Sequence, residues 1–426
     1  VFDDAPPKKK PPLAVLIAFM WGAYFLNYCD RQAVFAMFKV LKTDLAMTDQ
    51  QLGLTGAIFL WVYGMGCPIA GVLADRYPKR VLVVLSLAIW SAVTLATGLA
   101  TSAAVLLALR AAMGISESLY MPAAIALTAD ATPAEKRSRA VSLLTTAQIA
   151  GTVAGAWFGG WMAQRGQWRG AFFCLGGIGI LYAVPYFLFL RNLHEPARTD
   201  AAKSARIGSG VAALAGVPTF RVLCFAFPVF VFGLWMLYSW MPAYIQEKFD
   251  LSLAEAGFNA SFYLQIGSLA GLFLGGYLAD RLTRLTPAAR LWLLVASLGL
   301  CAPCLHLVGS GKTLAATCAP LGAFGLFGGF LIGNIFPAAF EVTPAGARAS
   351  AVGILNFFGS ALSGFAPLVV GRWKQSIGIE RMLTGTAVIY GVAAVVLSAV
   401  IVRYFPADWA KANAASAKIE PATQTN

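Results

Sequence analysis

The sequence predicts an all-α integral membrane protein, twelve transmembrane helices in two six-helix bundles. Three observations predict it. Of 426 residues, 59% are hydrophobic and 12% charged, with mean hydropathy +0.71, well above the roughly 45–50% apolar share of soluble domains. Apolar runs of about 20 residues, enough for a helix to cross a hydrocarbon core of ~30 Å, recur twelve times along the chain. One loop pattern, "GVLADRYPKR" at 71–80, returns as "GYLADRLTR" at 276–284, about 205 residues later.

In chain order the spans are expected at 13–41, 51–73, 81–100, 102–127, 140–164, 169–190, 220–245, 254–278, 288–308, 313–340, 350–371 and 382–404. The short "GLATS" link, 98–102, has to part spans three and four. The opening "VFDDAPPKKKPP" leads into an apolar run too long for a signal peptide and without a small-residue cleavage pattern, so that run is expected to stay as span one. The longest internal link, polar and basic, lies between spans six and seven. The chain therefore divides into a tail 1–12, a bundle 13–190, a linker 191–219, a bundle 220–404 and a tail 405–426.

A formal charge of +13 could suggest nucleic-acid binding, yet the basic residues are scattered through short inter-span segments and form no basic domain. They report topology instead. With the N-terminus inside, 21 lysines and arginines fall on the inner side and 9 on the outer, so the positive-inside rule places both termini in the cytoplasm. The expected setting is a bacterial inner membrane, with a monomer in the lipid bilayer and no nucleic-acid partner. The seven cysteines lie in or beside apolar runs, and Cys301 and Cys304 read as span filler. No H-E-x-x-H, G-x-S-x-G or Walker-type G-x-x-x-x-G-K-[ST] occurs, which disfavours an enzyme or an ATP-driven pump. No cofactor is expected; a proton gradient would be the driving force.

Only four Asp, Glu, Lys or Arg residues fall deep within spans: Asp30 and Arg31 in span one, Arg110 and Glu117 in span four. Each costs at least about 2.5–3.5 kcal/mol at a helix centre, so they should face a shared interior. Asn27, Asp30 and Arg31 follow i, i+3, i+4 spacing with Tyr24 one turn earlier, and Arg110, Gly114 and Glu117 follow i, i+4, i+7, which makes one polar face on each helix. Arg31 presents a planar fork suited to a carboxylate or phosphate. Asp30 and Glu117 are the deep groups able to change charge, and Arg110 would pair with whichever of them is ionised. The pattern points to proton-coupled transport of an anion; the bland alternative is fixed interhelical salt bridges, Asp30 with Arg110 or Arg31 with Glu117. Gln148, Trp235, Tyr238, Asn334 and Asn356 are further candidate substrate contacts, although residues of these types within spans often serve helix packing. Gly151, Gly155 and Gly159 have the spacing of a close helix contact.

The loop residues Gly71, Leu73, Asp75, Arg76, Lys79 and Arg80, repeated at Gly276, Leu278, Asp280, Arg281 and Arg284, resemble the signature of the major facilitator superfamily, with Pro78 departing from it. The segments "NYCDR", "RAAMGISESLYMPA" and "WMLYSWMPAYIQEKFDLSLAEAG" resemble the anion:cation symporter family of organic-anion transporters within it; the first two, together with "ADATPAEKRSRAVSL", are also similar to Spinster-type lysolipid and sphingolipid transporters. The resemblance implies secondary transport by alternating access, with Arg31 binding substrate and Asp30 and Glu117 carrying protons. The expected substrate is a sugar acid or other carboxylate, the alternative a lysophospholipid or sphingolipid. The loop charges read as a gate: Asp75 facing a helix N-terminus or Arg139, and Asp280 likewise Arg348, with Arg76, Arg80 and Arg281 beside them.

Overall fold

In hydrocarbon a backbone has no water to bond, so each apolar run closes its own hydrogen bonds as a helix. The computed structural model describes residues 13–132, 137–191, 214–344 and 347–417, and helices occupy all twelve expected places with no strand among the described residues. Eleven are long and apolar enough to cross a membrane; the other, span five at Arg137–Ala163, carries four glycines that dilute its hydropathy.

Three spans are interrupted. Span one runs Leu13–Ala36 and turns at Met37 into Phe38–Asp44. Span four is Ala103–Ser118 followed by Tyr120–Ala131, and span eleven is Arg348–Ser363 followed by Phe365–Trp373. The last two breaks have one cause. Pro122 and Pro367 lack an N–H and crowd the carbonyl four residues earlier, at Ser118 and Ser363, where each first segment ends. The remaining spans are Asp49–Arg76, Lys79–Thr97, Trp168–Leu190, Pro218–Phe249, Leu253–Leu282, Ala289–Ser310, Leu314–Glu341 and Ile379–Ala417.

The repeat is visible in the backbone. Positive φ occurs at Ala46 and Asp250, just before spans two and eight, and at Gly166 and Gly378, just before spans six and twelve. Spans four and ten open on matching side-chain caps: Ser102 Oγ accepts from Val105 N at 3.3 Å, and Thr313 Oγ1 from Ala316 N at 3.2 Å. Ser102 ends the short "GLATS" link and starts span four cleanly.

The chain forms two compact units. One gathers Val1–Met47, Trp61–Ser204 and Ser252–Glu255; the other Thr48–Leu60, Ala205–Leu251 and Ala256–Asn426. The ends of spans two and eight are thus exchanged relative to a plain division of the sequence. In the first unit, span one packs on spans five and six, and span three on spans four and six. Gly151, Gly155 and Gly159 lie directly on the backbone of Phe25, Cys29 and Ala33, so close that a Cβ at any of them would overlap main-chain atoms. This ladder fixes the register of span one. Gly155→Leu is expected to cost about 1–3 kcal/mol of stability through overpacking, seen as a lower thermal midpoint of the detergent-solubilised protein. Gly177→Ala, at a position inside span six with open space around it, should hold or raise the midpoint, since alanine favours the helix.

In the second unit, span seven packs on spans eleven and twelve, and span nine on spans ten and twelve. Span twelve is 39 residues long, about 58 Å at 1.5 Å per residue and so well beyond the hydrocarbon thickness. Its extension brings back Asp408, whose Oδ2 accepts from the Thr219 backbone N at 2.9 Å and from Thr219 Oγ1 at 2.7 Å. Span seven begins at Pro218 with Val217 at its N-cap, which offers no capping side chain. A carboxylate from another helix therefore supplies the cap and complements the positive end of the helix dipole.

Candidate functional site

The site lies in the first unit, where spans one, two, three and four bring their polar positions together. Asp30, Arg31, Arg110 and Glu117 are all buried, none more than 6% exposed. The ladder described above holds Cys29 and Ala33 against span five, which turns Arg31 to another side of span one.

Arg31 is held on several sides. Its Nη2 lies 2.6 Å and its Nε 3.2 Å from Glu117 Oε2, so a single carboxylate oxygen takes both donors of one guanidinium edge. Nη2 also reaches Asn27 Oδ1 at 3.4 Å. The guanidinium carbon sits 4.7 Å from the centroid of the Tyr28 ring and 5.1 Å from that of Tyr63, whose π-faces favour a cation. Rings and acid together fix the plane of the fork.

The neighbouring acid is held differently. Asp30 Oδ2 accepts from Thr94 Oγ1 of span three at 3.1 Å. Arg110, fully buried, points Nη1 at Met113 Sδ, 3.2 Å away. Asn27 Nδ2, Asp30 Oδ1 and Glu117 Oε1 are each buried with no hydrogen-bond partner among the described residues. Unsatisfied polar atoms of this kind are costly in a packed interior.

Tyr24, on the same stripe, donates from its hydroxyl to Gln148 Oε1 at 3.1 Å and packs edge-on to Tyr28 at 5.0 Å. In the second unit, Tyr238 accepts from Gln265 Nε2 at 3.4 Å and packs edge-on to Trp235 at 5.6 Å. Asn334 donates to Phe330 O at 2.9 Å and across to Gly275 O of span eight at 3.2 Å, a helix-packing role. Asn356 is exposed.

Sequence reasoning passed over Tyr28, Tyr63 and Thr94. Tyr28 stands three residues before Arg31 and so on its face, a signal available in the spacing. Tyr63 and Thr94 carry no such mark, because nothing in an apolar run says which face meets span one.

Of the expected gate residues, the side chains of Asp75, Arg76 and Arg139 lie outside the described residues. Arg80 Nη1 donates to Arg191 O at 3.0 Å, and Arg281 Nη1 to Tyr277 Oη at 3.3 Å. Asp280, expected to meet a helix N-terminus or a basic partner such as Arg348, meets Arg290 in the first turn of span nine. Asp280 Oδ1 lies 3.3 Å from Arg290 Nη2, and Arg290 Nη1 lies 2.9 Å from Glu341 Oε1. The reason is local: Arg290 opens span nine just after the short turn that follows span eight, within reach of the acid at that span's end. Among the described residues no group of three or more His, Cys, Asp or Glu could hold a metal ion.

Known proteins extend the picture. The chain is 30% identical over 291 residues to a probable sulfoacetate transporter of Cupriavidus necator, covering 65% of this chain and 67% of the relative. It is 23% identical over 380 residues to a probable L-galactonate transporter of Escherichia coli, covering 85% and 83%. A crystal structure of a bacterial homologue of the human lysosomal transporter Spinster matches with a TM-score of 0.75 at 22% identity, covering 94% of this chain and 98% of that one; likeness at that identity speaks for the fold alone. The Major Facilitator Superfamily matches residues 20–367, from span one into span eleven. With its twelve spans and internal repeat, the chain belongs to the Major Facilitator Superfamily and is a transporter, not an enzyme.

Proposed function

We propose that the protein is a proton-coupled symporter of a small organic anion bearing a carboxylate or sulfonate, with Arg31 as the anchor for substrate and Glu117 as the acid that yields to it. The observation that carries this reading is the buried Arg31–Glu117 contact, in which Oε2 occupies the Nε and Nη2 donors together. That edge is the one a substrate carboxylate would take with both its oxygens. Ionised Glu117 and the anion therefore compete for one fork. A proton on Glu117 removes its charge and frees the fork, so uptake of a proton and of an anion favour each other. Asp30, tied to Thr94 by one oxygen only, is the second group able to carry a proton. Tyr28 and Tyr63 keep the guanidinium in plane while its partner changes.

The relatives support the substrate class, since sulfoacetate and L-galactonate are both small organic anions. The distribution of lysine and arginine favours cytoplasmic termini. A lipid-exporting role rests on the fold likeness and on the segments of spans one and four that also resemble Spinster-type transporters. The deciding experiment is uptake of radiolabelled sulfoacetate, L-galactonate and other carboxylates into proteoliposomes. An inward proton gradient is expected to accelerate uptake, and a protonophore to remove the acceleration. Uptake indifferent to the gradient would dismiss coupling, and movement of lysophospholipid with no carboxylate transported would hand the function to the lipid alternative.

A further inference from the structure

Arg348 borders a second site that the transport reading does not use. Where the start of span nine, the end of span ten, the start of span eleven and the extension of span twelve converge, there is an open-sided cavity of ≈ 320 Å³. Arg290, Phe340, Glu341, Arg348, Trp409 and Asn413 line it. We propose that this cavity binds a phosphoglycerol group, either the headgroup of an anionic phospholipid or free glycerol phosphate.

Charge selects the ligand. Arg290 is answered by Glu341 and Asp280. Arg348 packs over the Phe340 ring at 5.6 Å and has no carboxylate partner among the described residues. Counting the lining groups, Arg290 is offset by Glu341 and the positive charge of Arg348 remains, which matches a net anion better than a zwitterion. The opposite requirement comes from Glu341. Its Oε2 is buried without a hydrogen-bond partner among the described residues, so the ligand should also bring a donor. A phosphate ester of glycerol, with its neighbouring hydroxyls, supplies both: oxyanions to Arg348, a hydroxyl to Glu341. The volume lies at the small end of ligand sites, about 300–1,000 Å³.

Position agrees. Arg403, 5.7 Å from the Tyr404 ring, and Trp409, 37% exposed, are residue types that gather at the membrane–water boundary. Basic pockets between helices at that depth suit lipid headgroups.

The test is native mass spectrometry of the full-length, detergent-solubilised protein with phosphatidylglycerol, phosphatidylethanolamine and sn-glycerol 3-phosphate as probes. Phosphatidylglycerol is expected to be retained over phosphatidylethanolamine. Arg348→Gln should lower retention about tenfold, the effect of losing a charge-assisted bond. Asn413→Trp, which fills the cavity from an exposed position without touching an ion pair, should give a similar loss even if Arg348→Gln fails to fold. Arg403→Gln, outside the cavity, should change nothing. Retention of phosphatidylglycerol alone identifies the lipid as source, and retention of sn-glycerol 3-phosphate alone the soluble ester. Binding of neither, equal retention of phosphatidylethanolamine, or loss with Arg403→Gln as large as with Arg348→Gln would overturn the proposal.

Discussion

Arg31→Ala is expected to weaken binding of the transported anion at least about 100-fold, equivalent to roughly 2.7 kcal/mol. Two losses add. The substrate loses its cationic fork, and Glu117, whose side chain is 0% exposed, is left as an acid without its counter-charge. Breaking a buried pair from one side typically costs about 3–5 kcal/mol, so stability should fall as well. The double variant Arg31→Ala with Glu117→Gln separates the two effects, because it removes the stranded charge. Its thermal midpoint should recover while its binding stays lost. Arg31→Lys keeps a charge but not the planar edge or its fit between Tyr28 and Tyr63, and should bind with intermediate strength. Equilibrium binding of a labelled anion to the purified variants reads all three. Binding by Arg31→Ala equal to that of the wild type would remove Arg31 from the site.

Glu117→Gln should uncouple the cycle without stopping it. An amide cannot gain or lose the charge that competes for the guanidinium, so the fork stays open to the anion at every pH. Wild-type binding should weaken as pH rises and ionised Glu117 reoccupies Arg31; binding to the variant should stay level. In proteoliposomes, counterflow exchange should remain within about threefold of wild type, a change of under roughly 1 kcal/mol, while accumulation driven by a proton gradient disappears. Gradient-driven accumulation at wild-type levels in the variant would exclude Glu117 as the coupling acid.

Much of this was legible before any coordinates. Spans show because hydrocarbon admits no other local solution for a long apolar run, and the ladder of Gly151, Gly155 and Gly159 shows because only small side chains at that spacing let backbones touch. The four deep charges stand out by their cost alone. Their pairing did not. Two acids and two arginines allow more than one set of partners, and a helical wheel fixes the face of each helix but not its depth or rotation against the next. Glu117 with Arg31 was one of the pairings the sequence offered and three dimensions select it, whereas Thr94 against Asp30 required them outright. For Asp280 the loop pattern left open which helix N-terminus or basic residue it meets; Arg290, ten residues away across a turn, is that partner. The breaks at Leu119 and Gly364, by contrast, were written in Pro122 and Pro367.

The bond from Asp408 to Thr219 gives the C-terminal turns of span twelve a duty that their sequence does not advertise. They act as a buckle that fastens the beginning of the second bundle from its far end. A purification tag fused beyond residue 417 leaves the buckle closed, whereas a truncation made just after the membrane boundary would open it and release the first turn of span seven.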